Sequence, residues 1–188
     1  MTPRELDEYR ALRATIRERG TARHWILIVG MLGWAALSIA LGALSVVPVD
    51  VFIPLLVLVA TFEVVFALHT GVERVGRYLQ VHYEADPTTA GWEHAAMEFG
   101  RTYGGGPTMD ALFSPIFWVA TLLNVLPATA AEPVPMEWFV IGAVHLLVAW
   151  RVWSAKRQAA TQRALDLERF VALKERSTPS AAPSRDGQ

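Results

Sequence analysis

Two ionisable side chains, Glu63 and His145, stand within long apolar stretches of the sequence. A charge at the centre of a bilayer costs ~2.5 to 3.5 kcal/mol on insertion scales, so a glutamate there is a functional-site hypothesis by default. A glutamate beside a histidine can relay protons or bind a cation, because histidine changes its charge near neutral pH. Thr121 and Asn124 extend the polar path, and the four residues form the candidate intramembrane polar site.

Helix geometry predicts that Glu63 and His145 lie at similar depth. Glu63 follows residue 51 by twelve positions and His145 follows residue 136 by nine, and these positions begin two predicted spans with the same direction. At a rise of ~1.5 Å per residue, the two depths differ by a few ångström. Both side chains are flanked by small residues, which mark helix contacts in lipid: Ala60, Ala67, Gly71, Gly142 and Ala149. We expect the pair to meet there, either as a working site or as one structural hydrogen bond.

Metal and haem chemistry have their own candidates. His94 and Glu98 are four residues apart and share a helix face, a spacing compatible with a metal site. A hydrated surface explains this pair equally well, together with its neighbours His82, Glu84 and Glu93. A membrane haem needs two axial histidines at similar depth, but His145 is central whereas His24 and His69 lie at the inner boundary. We therefore predict no cofactor.

Four apolar segments must position these residues. Residues 25–68 contain only two ionisable groups, Asp50 and Glu63, over a length about twice the ~20 residues that one spanning helix needs. Pro48 predicts a turn between two helices. A third apolar run is closed by Pro127, and a fourth follows it. The predicted spans are residues 25–47, 51–70, 109–126 and 136–153, which together form a transmembrane domain at 24–153.

Composition supports the same fold class. The chain has 188 residues, of which 53% are hydrophobic and 19% charged, and its mean hydropathy is +0.29. This is unusual for a water-soluble globular protein, so we predict an all-α integral membrane four-helix bundle. Cysteine is absent, which excludes disulfides, zinc–thiolate sites, iron–sulfur clusters and a cysteine nucleophile.

The basic residues predict the orientation. Of 17 lysines and arginines, six precede the first span, three lie between spans two and three, and the other eight are Arg151 and residues after it. The two remaining loops contain none. The positive-inside rule therefore places both termini and loop 71–108 in the cytoplasm, as in a multi-pass protein of a bacterial inner membrane.

The cytoplasmic segments are predicted to be largely helical. Residues 1–23 begin with a capping box at Thr2 and Glu5 and continue as an amphipathic helix to Gly20. Span two continues into loop 71–108 to about Glu84, and a short amphipathic helix follows from Trp92. Residues 154–176 extend the fourth helix, and residues 177–188 are predicted to be a disordered tail.

Three short motifs carry a family resemblance. They are ELDEYRALR at residues 5–13, YLQVHYE at residues 78–84 and GWE at residues 91–93. In these motifs and in layout the chain resembles small bacterial four-helix integral membrane proteins that remain uncharacterised. The resemblance implies the topology, and it implies no activity and no catalytic or binding residue.

The expected function is non-enzymatic. Serine, histidine and aspartate are not arranged for hydrolysis, and only generic basic arms favour nucleic acid, so we predict no nucleic-acid partner. We expect an interaction or signalling module that is embedded in the lipid bilayer, forms a homo-oligomer and displays cytoplasmic helices to a protein partner. Small-residue faces, including Ser38 and Gly42, are expected to mediate assembly. The alternative is a small channel or proton-coupled transporter that uses Glu63 and His145.

Overall fold

In the computed structural model, the described residues are all helical apart from turns and short connections, and they contain no strand. The structure describes residues 1–44, 47–84, 91–103 and 111–177. The predicted tail, except for Ser177, lies outside these ranges, as do positions 109 and 110 of the predicted third span.

Helix α1, Pro3–Leu44, begins where the capping box predicts. The backbone N–H of Thr2 donates to Glu5 Oε2 over 2.6 Å, and the Glu5 N–H donates to Thr2 Oγ1 over 3.3 Å. The helix does not end at Gly20 as expected. A glycine inside a helix costs only about 1 kcal/mol, and packing on both sides of it offsets that cost. The 42 residues of α1 extend over ~63 Å, about twice the hydrocarbon thickness of a bilayer.

Helix α2, Phe52–His82, follows a single turn of 3₁₀ helix at Pro48–Val51. The turn lies at the predicted proline. The Tyr83 N–H caps the other end by donating to the carbonyl of Leu79, close to the predicted end at Glu84.

The segment that follows is broken into short helices. Helix α3 is Trp92–Tyr103, α4 is Ser114–Leu123 and α5 is Leu126–Ala130. Phe113 precedes α4 in a left-handed conformation, with φ of 52°. Pro127 lies in the first turn of α5 instead of ending a continuous helix at residue 126, because proline is accepted at helix starts.

Helix α6, Pro135–Ser177, joins the predicted fourth span and the predicted cytoplasmic helix in 43 continuous residues. Helices α1 and α6, and α2 with the preceding turn, are long and apolar enough to cross a membrane, as judged by length and composition. The apolar segment Ser114–Ala130 is shorter than these three.

The core lies between α1, α2, α4 and α6, where Leu27, Leu58, Phe62, Phe117 and Val152 pack together. Beyond this core, the charged ends of three long helices gather with α3. We call this region the polar layer and define it as residues 3–23, 73–84, 92–103 and 154–177.

Candidate functional site

Glu63 forms an ion pair with Arg151. Arg151 Nη2 donates to Glu63 Oε2 over 2.8 Å, and Arg151 Nε lies 2.7 Å from Glu63 Oε1, so the contact is bidentate. The guanidinium carbon stands 4.7 Å from the ring centre of Phe66 and 5.5 Å from that of Phe62. The pair ties α2 to α6.

His145 belongs to a second polar cluster, with Asn124 at its centre. Asn124 Nδ2 donates to the Val51 carbonyl over 2.8 Å and lies 3.1 Å from His145 Nε2. Asn124 Oδ1 accepts from Trp34 Nε1 over 2.9 Å. His145 Nδ1 lies 2.7 Å from the Ile141 carbonyl, so Nδ1 carries the proton and Nε2 accepts from Asn124. The histidine in this arrangement is neutral. The cluster joins α1, the turn at Pro48–Val51, the end of α4 and α6.

The structure therefore places Glu63 and His145 in separate clusters. Arg151 follows His145 by six residues on α6, and helical side chains tilt toward the helix N-terminus, so Arg151 reaches back to the level of Glu63. A signal for this partner is present in the sequence. Arg151 follows residue 136 by fifteen positions and Glu63 follows residue 51 by twelve, which places them within ~5 Å in depth.

Thr121 lies beside the ion pair. With Glu63 and Arg151 it lines a mostly apolar cavity of about 190 Å³ between α2, α4 and α6. Its hydroxyl donates to the Phe117 carbonyl over 2.7 Å, so the hydrogen serves the local helix. Of the four predicted site residues, the structure thus brings together Glu63 with Thr121 and His145 with Asn124.

The small residues expected at helix contacts differ in their surroundings. Ser38 and Gly42 face the same chain, since both line a small cavity with Pro127 and a side chain on Gly42 would contact that proline. Gly71 lies against the Arg19 guanidinium. Ala60 and Ala67 are exposed on α2, while Gly142 and Ala149 are half-buried on α6.

The polar layer is held by a network of ion pairs around α3. Arg13 lies 2.9 Å from Glu84 and 2.6 Å from Glu93 through different nitrogens, and Arg77 Nη2 lies 3.4 Å from Glu93. The Glu93 N–H donates to Glu84 Oε2 over 2.8 Å. Burial lowers the pKa of Arg77, and Glu73 and Glu93 oppose that shift. The carboxylates of Glu84, after α2, and Glu93, on α3, are thereby paired with arginines.

Helix α6 is attached to α2 in the same layer. Arg74 Nε lies 3.0 Å from Asp166, and Arg163 Nε lies 2.6 Å from Glu73. Tyr78 donates to Glu8 over 2.9 Å, and burial together with this bond raises the pKa of Tyr78 to about 12. The three long helices therefore form one cross-linked unit.

The histidine and glutamate side chains proposed for a metal are already engaged. His94 Nδ1 lies 3.7 Å from Glu84, and Glu84 also binds Arg13. Within the described ranges, no group of three His, Asp or Glu side chains is close enough to hold a metal ion.

No protein-family model matches the chain, and no curated protein or solved structure shows significant similarity to it. The contacts around Glu63, His145 and the polar layer are therefore the observations that bear on function.

Proposed function

We propose that the protein is a non-enzymatic integral membrane interaction module of a bacterial inner membrane, with both termini and the polar layer in the cytoplasm. The distribution of the 17 basic residues supports this orientation. Termini on one side require an even number of crossings, so Ser114–Ala130 makes the fourth. Helices α4 and α5 with the two residues between them extend at most ~25 Å at ~1.5 Å per residue, and local thinning of the bilayer accommodates the difference from ~30 Å.

One observation carries the proposal. Helices α1, α2 and α6 continue without a break from their apolar halves into the polar layer, where ion pairs such as Arg74–Asp166 join them. A change in how the spans assemble is therefore transmitted to the cytoplasmic surface. The intramembrane groups Glu63 and His145 are partnered by Arg151 and Asn124, and both clusters hold helices together.

The proposed oligomer forms through the lipid-facing side of α1 and α2. A groove of about 480 Å³ lies there, and Gly30, Ala60 and Val64 line it. An added side chain at Gly30 would collide with Thr61, so the two helices approach each other closely at the groove. Small residues let a helix of a second copy approach such a groove.

Cysteine crosslinking tests this assembly. The chain has no cysteine, so Val64→Cys introduces a single thiol in the groove. We expect oxidation in native membranes to give a covalent dimer, whereas Leu147→Cys, on the exposed side of α6, remains a monomer. Equal crosslinking at both positions, or none at Val64, contradicts the proposal.

A second groove, of about 480 Å³, is proposed for a cytoplasmic partner protein. It lies between α2, α3 and α6 and is lined by Gln80, His94, Leu167 and Val171. A photo-crosslinking amino acid at Val171 is expected to give one discrete adduct in cells. The same group at Leu146, on the lipid-facing side of α6, is expected to give none of that mass. Deleting residues 155–176 is a poorer test of partner binding. The deletion also removes the ion pairs of Asp166 and Arg163, which join α6 to α2.

The channel or transporter alternative has one observation in its favour. Glu63 and Thr121 line the same cavity of about 190 Å³ in the apolar half of the protein. Ion flux through liposomes that contain wild type or Glu63→Gln separates the two functions.

A further inference from the structure

Helix α3 has its aromatic side turned outward. Trp92, Phe99 and Tyr103 expose 71%, 62% and 73% of their surfaces, whereas Glu93 exposes 8%. The rings of Phe99 and Tyr103 contact each other in a tilted arrangement, with 5.0 Å between their centres, which makes one continuous patch. An amphipathic helix normally buries its apolar side, and contiguous exposed aromatic surface marks an interaction site.

The orientation of this helix is set by its polar contacts. Glu93 binds Arg13 on α1 and Arg77 on α2, and Arg77 also contacts Met97. Glu93 and Met97 are four residues apart, so one side of α3 faces the polar layer. Phe99 is two residues from Met97, about 200° around the helix, and therefore points away from it. The patch cannot turn inward while these contacts hold.

The position of α3 brings the patch close to the bilayer. Gly91 lies against Glu84 at the far end of α2, while Met97 contacts Arg77, seven positions nearer the apolar half. The helix thus runs back toward the membrane, and Leu112 lies in the apolar core soon after α3 ends. With the second span ending near residue 70, Arg77 lies ~10 Å beyond it. Phe99 and Tyr103 follow Met97 and are closer still, at the depth of the headgroups.

We propose that the Phe99–Tyr103 patch inserts into the cytoplasmic interface of the bilayer, between headgroups and acyl chains. Aromatic rings favour this region because their apolar faces and polar edges suit the boundary between lipid and water. Because Glu93 links α3 to Arg13 and Arg77, this insertion sets the position of the polar layer relative to the membrane. The inference rests on the proposed membrane placement of the chain.

Single-cysteine labelling tests the insertion on the full chain in phosphatidylcholine–phosphatidylglycerol liposomes. An environment-sensitive fluorophore is attached to Phe99→Cys, to Glu98→Cys as the matched control at an exposed polar position of α3 about 100° from Phe99, and to Leu147→Cys on the lipid side of α6. We expect headgroup-level spin-labelled lipid to quench the Phe99 label and aqueous iodide to lose most of its effect there. The Glu98 label is expected to show the reverse.

The three labels separate the possible failures. Equal iodide quenching at Phe99 and Glu98, with Leu147 shielded, overturns the insertion of α3 and leaves the membrane placement intact. Iodide quenching at Leu147 instead contradicts the membrane placement. A Phe99 label that neither iodide nor spin-labelled lipid reaches is covered by protein, which also overturns the inference.

Discussion

Breaking the Glu63–Arg151 pair tests the structural role of this contact between α2 and α6. The two short contacts of 2.7 and 2.8 Å lie in an apolar cavity, so the exposed part of each side chain faces hydrocarbon if the helices span. Arg151→Met leaves a carboxylate without its partner, at a cost of about 3 kcal/mol for an ion at this depth. Glu63→Gln costs less, about 1.5 kcal/mol, because the long arginine side chain can extend to the headgroups.

The double variant Glu63→Gln/Arg151→Met removes both charges. We expect its loss in free energy of unfolding to be about 2 kcal/mol smaller than the sum of the two single losses, since neither charge remains unpaired. The assay is reversible unfolding of the protein in bicelles by a denaturing detergent. The exposed pair Asp7–Arg10 is the control, at 78% and 69% exposure, and its coupling is expected below about 0.5 kcal/mol. Single losses that add within about 0.5 kcal/mol would refute the structural role of the Glu63 pair.

Three further predictions concern other contacts and use the same unfolding assay. Asn124→Leu leaves its former partners unsatisfied and is expected to cost about 1–3 kcal/mol; a loss below that range contradicts its central position. Gly30→Ala is expected to destabilise because the new methyl group collides with α2, whereas Gly142→Ala, where an added carbon meets nothing, is tolerated. Burial, and then Lys174, lower the pKa of His82 below 6.5 in the folded protein. The contribution of His82 to the free energy of unfolding is therefore complete above pH 6.5 and declines as the pH falls toward the lower pKa of the folded protein. His82→Gln is expected to reduce that decline, and an unchanged dependence of stability on pH would exclude His82 as its source.

Local sequence signals predicted some of the helix boundaries. The Thr2 and Glu5 cap, the turn at Pro48 and the long run to Arg176 rest on interactions within a few residues, and the structure has all three. The predicted helix end at Gly20 is wrong because the free-energy cost of a glycine inside a helix is small compared with the stabilisation from packing on both sides of it. The start of α4 at Ser114 follows a left-handed backbone conformation at Phe113. Aromatic residues rarely adopt this conformation, and no sequence motif predicts it here.

Long-range partners were harder to predict. The depth arithmetic that paired Glu63 with His145 also admits Arg151, and an arginine binds a carboxylate through two parallel contacts that histidine cannot make. The periodicity of α3 predicted an amphipathic helix, but it could not show that Glu93 would turn inward. That orientation follows from Arg13 and Arg77, two arginines distant in sequence that share its carboxylate.

The central claim is that the intramembrane polar groups hold the helices together and do not carry ions. Its most direct test is proton and monovalent-cation flux in liposomes that contain purified wild type or Glu63→Gln, under both signs of membrane potential. We predict flux equal to that of protein-free liposomes in both cases. A flux in wild type that Glu63→Gln abolishes would contradict the claim and make the ion pair a transport site.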